Sequence, residues 1–298
     1  MRAIVIGGAG FIGHHLVKKL LFENIETIVI DNLSTGKIEN IPTHIKFYNI
    51  DITKEDIDFI LNEGDVVFHF AAMARVQPSI IDPIKYNEVN VNGLLKVLVS
   101  CVNKKVSKFV FSSSSSVFGN AENLPTNENE KINPISPYAL QKYIGEEYCK
   151  LFTLLYGLDT VILRYFNVYG ENMPLEGAYR TVLSIFGNQY KNNEPFTLVN
   201  DGNQKRDFTY VNDVVDANFL VGFSGKKWGG ESFNIGNGKS ISIKEIISYF
   251  GVDNIVNIGD KIEPYETLAD NKKAKELLGW NPTGDIKTWI EYYKKTLK

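Results

Sequence analysis

The chain has 298 residues, 44% of them hydrophobic and 22% charged, with a formal net charge of −3. That length can bury a sizeable core, the composition excludes a disordered chain, and the missing basic surplus leaves no electrostatic footprint for nucleic acid. No apolar run reaches membrane-span length and a strand-like run begins at once, leaving no room for a signal peptide, so no membrane partner is expected and the cytoplasm is the expected location.

Residues 3–6 are a short, branched apolar run, the mark of a buried parallel strand, and they stop at a glycine-punctuated turn before a helical pattern. Gly7, Gly10 and Gly13 stand at G-x-x-G-x-x-G spacing. Gly7 allows a tight turn, Gly10 lets the backbone approach a pyrophosphate, and Gly13 lets the helix pack close on the strand. Phosphates would then sit on the helix N-terminus, where unpaired N–H groups and the dipole favour anions. A glycine triplet alone is weak, and its context decides. A second branched run, residues 27–30, ends at Asp31, about 20 residues past the glycines, where a carboxylate accepts hydrogen bonds from ribose hydroxyls. Asn32 follows rather than an arginine, and a carboxylate repels a 2′-phosphate, so the expected dinucleotide is NAD rather than NADP.

Residues 32–42 read as a loop and 46–48 as a short strand. Asp51 has two readings, a bond to an adenine amino group or a cap for a helix over 53–61, where Thr53 could also serve. Residues 65–70 are the next buried strand, followed by Ala71 and Ala72, whose smallness suits either a ligand at a strand's carboxyl end or simple packing. Asp82 and Pro83 open a helical pattern running through residue 103, with Val89, Leu94, Leu95 and Leu98 as its stripe. Residues 108–111 form the fifth strand and run into five serines, which lie between buried segments and so read as an active-site edge rather than a linker.

After a loop over 120–137 comes a helix with Tyr138 in its first turn and Lys142 in its second. Residues four apart share a helix face, and an ammonium beside a phenol favours the phenolate, making tyrosine a usable base with a serine hydroxyl nearby. Alone, Y-x-x-x-K is an ordinary surface pair; one loop after the fifth strand of a glycine-fingerprinted sheet, it reads as chemistry. Residues 159–165 are the sixth strand, after which the strand-helix alternation ends. Helices are expected at 177–191, 241–250, 272–278 and around Trp289, and strands at 195–199 and 232–235. Arg206 reads as a phosphate clamp or as an ion pair with Asp207 or Asp213. Cys101 and Cys149 are isolated and His14, His15, His44 and His69 are scattered, so no metal site is expected. No repeat or linker separates the two lobes, which are expected to interleave.

The segments GGAGFIG, DNLSTG, HFAA, SSSSSVFG, PYALQK, RYFNVYG, RDFTYV and LADNKKAKELLGW resemble, in order and spacing, the extended short-chain dehydrogenase/reductases, and most of all their UDP-glucose/UDP-galactose 4-epimerase type. The resemblance implies an α/β fold, a Rossmann-type doubly wound parallel sheet over 1–166 with a return at about 207–240, and a smaller interleaved C-terminal substrate lobe within 167–298. It implies NAD as cofactor and a UDP-sugar as substrate, with C4 oxidised and hydride returned to the other face. Tyr138 becomes the proton carrier, Lys142 the partner of the nicotinamide ribose, and Ser114 the catalytic hydroxyl, with Ser113 and Ser115 as rivals. Phe11, Ile12, Asp31, Asn32, Ser34, Gly36, Asp51, Ile52, Phe70, Ala71, Ala72 and Tyr165 join the glycines as cofactor contacts. Asn167 and Arg206 match contacts to sugar and pyrophosphate, and helices over 82–103 and 136–156 match those that pair two subunits as a four-helix bundle.

Departures from the family pattern are specific. Ser115 and Ser116 stand where dehydratases and decarboxylases carry acidic residues, which argues against elimination. His14 replaces a small residue, Asn200 a glycine, and Lys261 stands near the place of a second diphosphate arginine. Thr267 falls where some epimerases carry a bulky gate, leaving volume for an N-acetyl group. The competing readings are a dehydratase or reductase of the same family, disfavoured by those serines, and a non-catalytic NAD-sensing module, in which the tyrosine or lysine is typically missing.

Overall fold

Branched residues buried on both sides set the centre of the molecule. In the computed structural model, which describes residues 1–175, 180–260 and 263–297, β1 (Arg2–Ile6), α1 (Phe11–Phe22) and β2 (Glu26–Asp31) lead into β3 (Lys46–Asn49) and β4 (Val66–His69). A helical stretch follows through α2 (Val76–Ile81), α3 (Pro83–Asn87), a π-helical segment Glu88–Gly93 and α4 (Leu94–Asn103). β5 (Lys108–Ser114), α5 (Pro137–Tyr156) and β6 (Thr160–Tyr165) complete the regular alternation. The remainder comprises β7 (Val168–Tyr169), α6 (Val182–Lys191), β8 (Phe196–Leu198), β9 (Lys205–Asp207), β10 (Thr209–Tyr210), α7 (Val211–Phe223) and β11 (Glu231–Ile235). It ends with β12 (Ser240–Ser242), α8 (Ile243–Phe250), β13 (Ile255–Asn257), α9 (Lys272–Leu278) and α10 (Ile286–Leu297).

Seven strands form one parallel sheet in the order β11-β6-β5-β4-β1-β2-β3. Alternate side chains serve two cores: Val5, Val29, Phe68 and Leu163 meet α1 and α7, while Ile4, Ile28, Val67 and Ile162 meet α4 and α5. The order reverses between β1 and β4, the place where an open α/β sheet takes a ligand beyond its carboxyl edge. A third core, around Phe186, Phe196, Phe250 and Trp289, belongs to α6, β8, α8 and α10. The architecture is α/β, a Rossmann-like parallel sheet with a smaller C-terminal assembly.

Three helix expectations are corrected. Residues 53–61 form turns, because Asp51 closes on Thr53 and the Asp56 carboxylate accepts the Asp58 amide, side-chain bonds that compete with a helix. The pattern over 82–103 does start at Asp82, whose carboxylate accepts the Lys85 amide at 3.1 Å, but a π-helical segment interrupts it. The helix expected at 177–191 has α6 as its described part, capped by Thr181; residues 177–179 and Lys261 lie outside the described residues. α7 escaped the sequence reading, since it is apolar nearly all round between α1 and the sheet, which erases the 3.6-residue stripe. Among the described residues no helix is long and apolar enough to cross a membrane.

Candidate active site

Glycines build the turn after β1. Gly7 has φ +83°, and a Cβ there would lie 2.5 Å from the Ala71 amide nitrogen. A Cβ on Gly13 would lie 2.2 Å from the Gly7 carbonyl oxygen, so Gly13 lets α1 close on the turn itself rather than on the strand. Gly10, the N-cap of α1, is different. Among the described residues only the Gly7 oxygen, at 3.3 Å, comes near an added Cβ, and no side chain caps the helix. The leading amides of α1 are thus left to a phosphate. Gly10→Ala is expected to fold, with a small shift against the Gly7 carbonyl, yet weaken NAD binding by about tenfold or more, because the methyl otherwise faces the ligand. Calorimetric titration with NAD checks this, and unchanged affinity would move the pyrophosphate elsewhere.

Asp31 closes β2 beside the turn, its carboxylate accepting the Ala9 amide at 3.0 Å and the Leu33 amide at 2.8 Å. Burial raises its pKa against the pull of those two bonds. The following loop folds back over the turn: Gly36 packs on Ala9, and Lys37 N–H and Asn40 Nδ2 both donate to the Ala9 carbonyl. Asn32 accepts the Ser34 amide at 3.0 Å, with both side chains exposed. Asp51 caps a turn, with Oδ1 accepting the Thr53 amide and hydroxyl at 3.0 and 2.7 Å. Ile52 spends its side chain in the core against Gly93, which leaves only its backbone to meet a cofactor. The amides of Phe70 and Ala71 both donate to the Ile6 carbonyl, setting Ala71 against the glycine turn with Ala72 next in chain.

Serines at the carboxyl end of β5 divide their work. Ser112 Oγ lies 3.1 Å from the Tyr165 hydroxyl, which donates to Asn218 Oδ1 at 3.0 Å. Tyr165 therefore turns its hydroxyl into the core and offers none to a cofactor; burial lifts its pKa far above the usual range. Ser113 Oγ donates to Glu146 at 2.5 Å, and Glu146 is held by Arg164 through Nε at 2.9 Å and Nη2 at 2.6 Å. Ser114 Oγ accepts the Ser116 amide at 3.2 Å, and among the three candidate serines it is the one whose hydroxyl pulls the pKa of the Tyr138 phenol down.

Ser136 caps α5 and Pro137 occupies its first turn, so Tyr138 is presented at the very start of the helix, its own amide donating to Ser79 Oγ at 3.1 Å. One turn on, Lys142 Nζ donates to the Ser112 carbonyl at 2.7 Å and stands 5.0 Å from the Phe111 ring centroid. Burial brings the lysine down to about 8. Burial raises the Tyr138 pKa, and the groups that lower it are the Ser114 hydroxyl and the charge of Arg75.

These parts place a nucleotide cradle and a serine-tyrosine-lysine set at one edge of one sheet, and the family model that matches residues 3–236 is the NAD dependent epimerase/dehydratase family. The chain belongs to that family. A UDP-glucose 4-epimerase of Mycolicibacterium smegmatis is 34% identical over 95% of this chain and 94% of its own length. The UDP-glucose 4-epimerase of Thermotoga maritima, solved with UDP-glucose, is 36% identical, covers all of both chains and superposes with a TM-score of 0.93. A UDP-N-acetylglucosamine 4-epimerase of Methanobrevibacter ruminantium, solved with UDP-N-acetylmuramic acid, is 35% identical over 99% of this chain and 97% of the other, with a TM-score of 0.92.

As in the family, the cofactor is NAD. Just past β6, Asn167 (φ +25°) donates to the Asp207 carbonyl at 2.9 Å and to Thr267 Oγ1 at 3.1 Å, joining three parts of the chain. Arg206 pairs with neither Asp207 nor Asp213; its partner is Glu263 at 3.0 Å, and it also donates to the Lys205 carbonyl. Asp207 instead receives the amides of Asn237, Gly238 and Ala269, with burial holding it at about 6. His14 is buried, its Nδ1–H donating to the Gly10 carbonyl at 2.9 Å and its Nε2 accepting from Asn172, and burial keeps it neutral with a pKa of about 4.

Two charged groups beside the candidate site escaped the sequence reading. Glu146 follows Lys142 by four residues, the same spacing that links Lys142 to Tyr138, so extending that helix face by one turn finds it. Arg75 carries no such signal, because an arginine at positive φ has no sequence mark.

Proposed function

We propose that the protein is an NAD-dependent UDP-hexose 4-epimerase. The observation that carries this reading is one parallel sheet whose β1 runs into a glycine turn with an uncapped α1 and whose β5 ends at Ser114, with Lys142 of the Tyr138 helix anchored on the Ser112 carbonyl. The residues present fit NAD: the face over Gly10 is open, the α1 terminus lacks a side-chain cap, and Asp31 stands at the neighbouring strand end with a carboxylate for ribose hydroxyls. Held there, NAD would supply a reversible hydride acceptor for C4 of the sugar. Tyr138 takes the proton from the sugar O4 and later gives it back, Ser114 holds the same oxygen, and Lys142, anchored on Ser112, holds the cofactor ribose. Ser115 and Ser116 bring no carboxylate for elimination at a neighbouring carbon.

Arg206 is proposed to meet the diphosphate, drawing on a guanidinium now paired with Glu263, and Asn167 the sugar. Thr267 keeps the gate position small, so N-acetylhexosamines are expected to turn over alongside hexoses. Leu154, Leu155 and Tyr156 on α5, Ile81 on α2 and Ile84 on α3 are exposed, and a second copy pairing through the helical stretch over 82–103 and α5 is proposed to cover them; a monomer mass in sedimentation would remove that part. The test of function incubates the protein with UDP-galactose and with UDP-N-acetylglucosamine, without added reductant. Epimers of both, with no net NADH, are expected. A stable 4-keto-6-deoxy product, or NAD binding without turnover, would overturn the reading, and turnover of UDP-galactose alone would overturn only the Thr267 part.

A further inference from the structure

A fully buried carboxylate, Glu146, joins α5 to the end of β5. Ser113 stands opposite Arg164 in the register of β5 and β6, so both side chains leave the sheet on the α5 side and meet Glu146 there. Ser113 Oγ donates to Glu146 Oε1 at 2.5 Å, and Arg164 donates to the same oxygen through Nε at 2.9 Å and to Oε2 through Nη2 at 2.6 Å. The guanidinium reaches further. Its Nη1 donates to the Glu128 carbonyl at 3.0 Å, and its carbon stands 4.9 Å from the ring centroid of Phe118, the last residue of the short turn that follows Ser114. Ser114 thus has groups tied to one carboxylate on either side of it along the chain. On α5 itself, Tyr138, Lys142 and Glu146 succeed one another at four-residue intervals, which puts them on one helix face. Lys142 grips the Ser112 carbonyl at 2.7 Å, and one turn on Glu146 grips Ser113. Gly145 allows this close approach, since a Cβ there would lie 2.5 Å from the Phe111 ring.

Taking both charges of such a pair out of water is costly, and apolar residues of similar volume often replace it with no loss of stability. Direction is what apolar residues lack. A helix held on a strand by apolar contacts alone can slide along it by a fraction of an ångström, whereas the bonds to Glu146 and Lys142 hold at one setting only. We propose that Glu146 is a positioning residue for the proton transfer: its carboxylate, held by Arg164, fixes the end of β5 against α5, so that the Ser114 hydroxyl and the Tyr138 phenol converge on the same sugar oxygen. The proposal deepens the epimerase reading and rests on it. Glu146 acts through Ser113 on one side of Ser114 and through Arg164 and Phe118 on the other, while Lys142 sets the same strand end by its backbone.

The test uses NAD-bound protein and cuts the link from either end. Ser113→Ala deletes the strand's hydroxyl and leaves the carboxylate with its guanidinium; Glu146→Leu with Arg164→Met leaves the hydroxyl and deletes what it bonds. Melting temperatures establish that each variant is folded. With UDP-galactose, kcat is expected to fall about tenfold or more in each, with KM within about twofold, because the reacting groups are displaced while the substrate's other contacts stay. Ser113→Ala added to the double variant is expected to cost nothing further, since the hydroxyl then has no partner left to act through. A role in folding alone would lower the melting temperature and leave kcat of the folded protein unmoved. Ser113→Ala with kcat within about twofold of the unmodified protein would overturn the proposal, whether or not the double variant folds. So would a folded double variant with unchanged kcat, or one that Ser113→Ala slows again by its full effect, because Ser113 would then act without Glu146. An unmodified protein with no epimerase activity would sink the functional reading and this role together, whereas active protein with unmoved variants would sink the role alone.

Discussion

Tyr138→Phe is expected to lower turnover by about 10²–10⁴-fold while NAD affinity stays within a factor of about two. The variant removes one oxygen, and with it the group that carries the sugar proton. The backbone amide that bonds Ser79, the α5 cap at Ser136 and the Lys142–Ser112 bond do not involve that oxygen. The glycine turn and Asp31 belong to other elements. Ser114 keeps the Ser116 amide. Turnover of UDP-galactose and a calorimetric NAD titration, run on the same preparation, separate the two effects. Activity retained within tenfold would take the proton-carrier role away from this residue.

The second large effect is on stability. Arg164→Met is expected to cost about 3–5 kcal/mol, because it strands a carboxylate where no water reaches it. Glu146 is fully buried and Arg164 is 2% exposed, and the two share bonds of 2.9 and 2.6 Å. The pair also joins three elements around the reaction centre: Ser113 beside Ser114 on β5, Glu146 on the helix of Tyr138 and Lys142, and, through Arg164 Nη1, the Glu128 carbonyl in the loop before that helix. Removing both charges together, as Glu146→Leu with Arg164→Met, should recover much of the loss, since apolar pairs often replace buried ion pairs without net cost. Denaturant unfolding of both variants is the measurement. A loss below about 1 kcal/mol for the single variant would mean that water enters and solvates Glu146.

What was legible in the sequence follows from how local its causes are. The β1 turn could be read because three glycines do adjacent steric jobs, and the strands because a sheet buried on both faces selects branched runs such as residues 27–30. Tyr138 and Lys142 stood out through spacing along one helix. Other features depend on partners far along the chain. Which serine meets the phenol is decided by Tyr165, Asn218 and Glu146, each claiming or fixing a neighbouring hydroxyl. The Glu263 partner of Arg206 comes from a segment 57 residues away, whereas the nearby Asp207 is already taken by three backbone amides. Tyr165 matched a motif by position, yet its hydroxyl is drawn inward by Asn218 on α7, a helix without visible periodicity.

The central claim, that one phenol moves a proton at O4 while the C4 hydrogen leaves and returns within the same complex, is tested most directly by UDP-galactose carrying deuterium at C4. Epimerised sugar that keeps its deuterium at C4, with none released to water and no NADH left in solution, is the expected result. Deuterium lost to solvent, or product formed with hydrogen from water at C4, would contradict it.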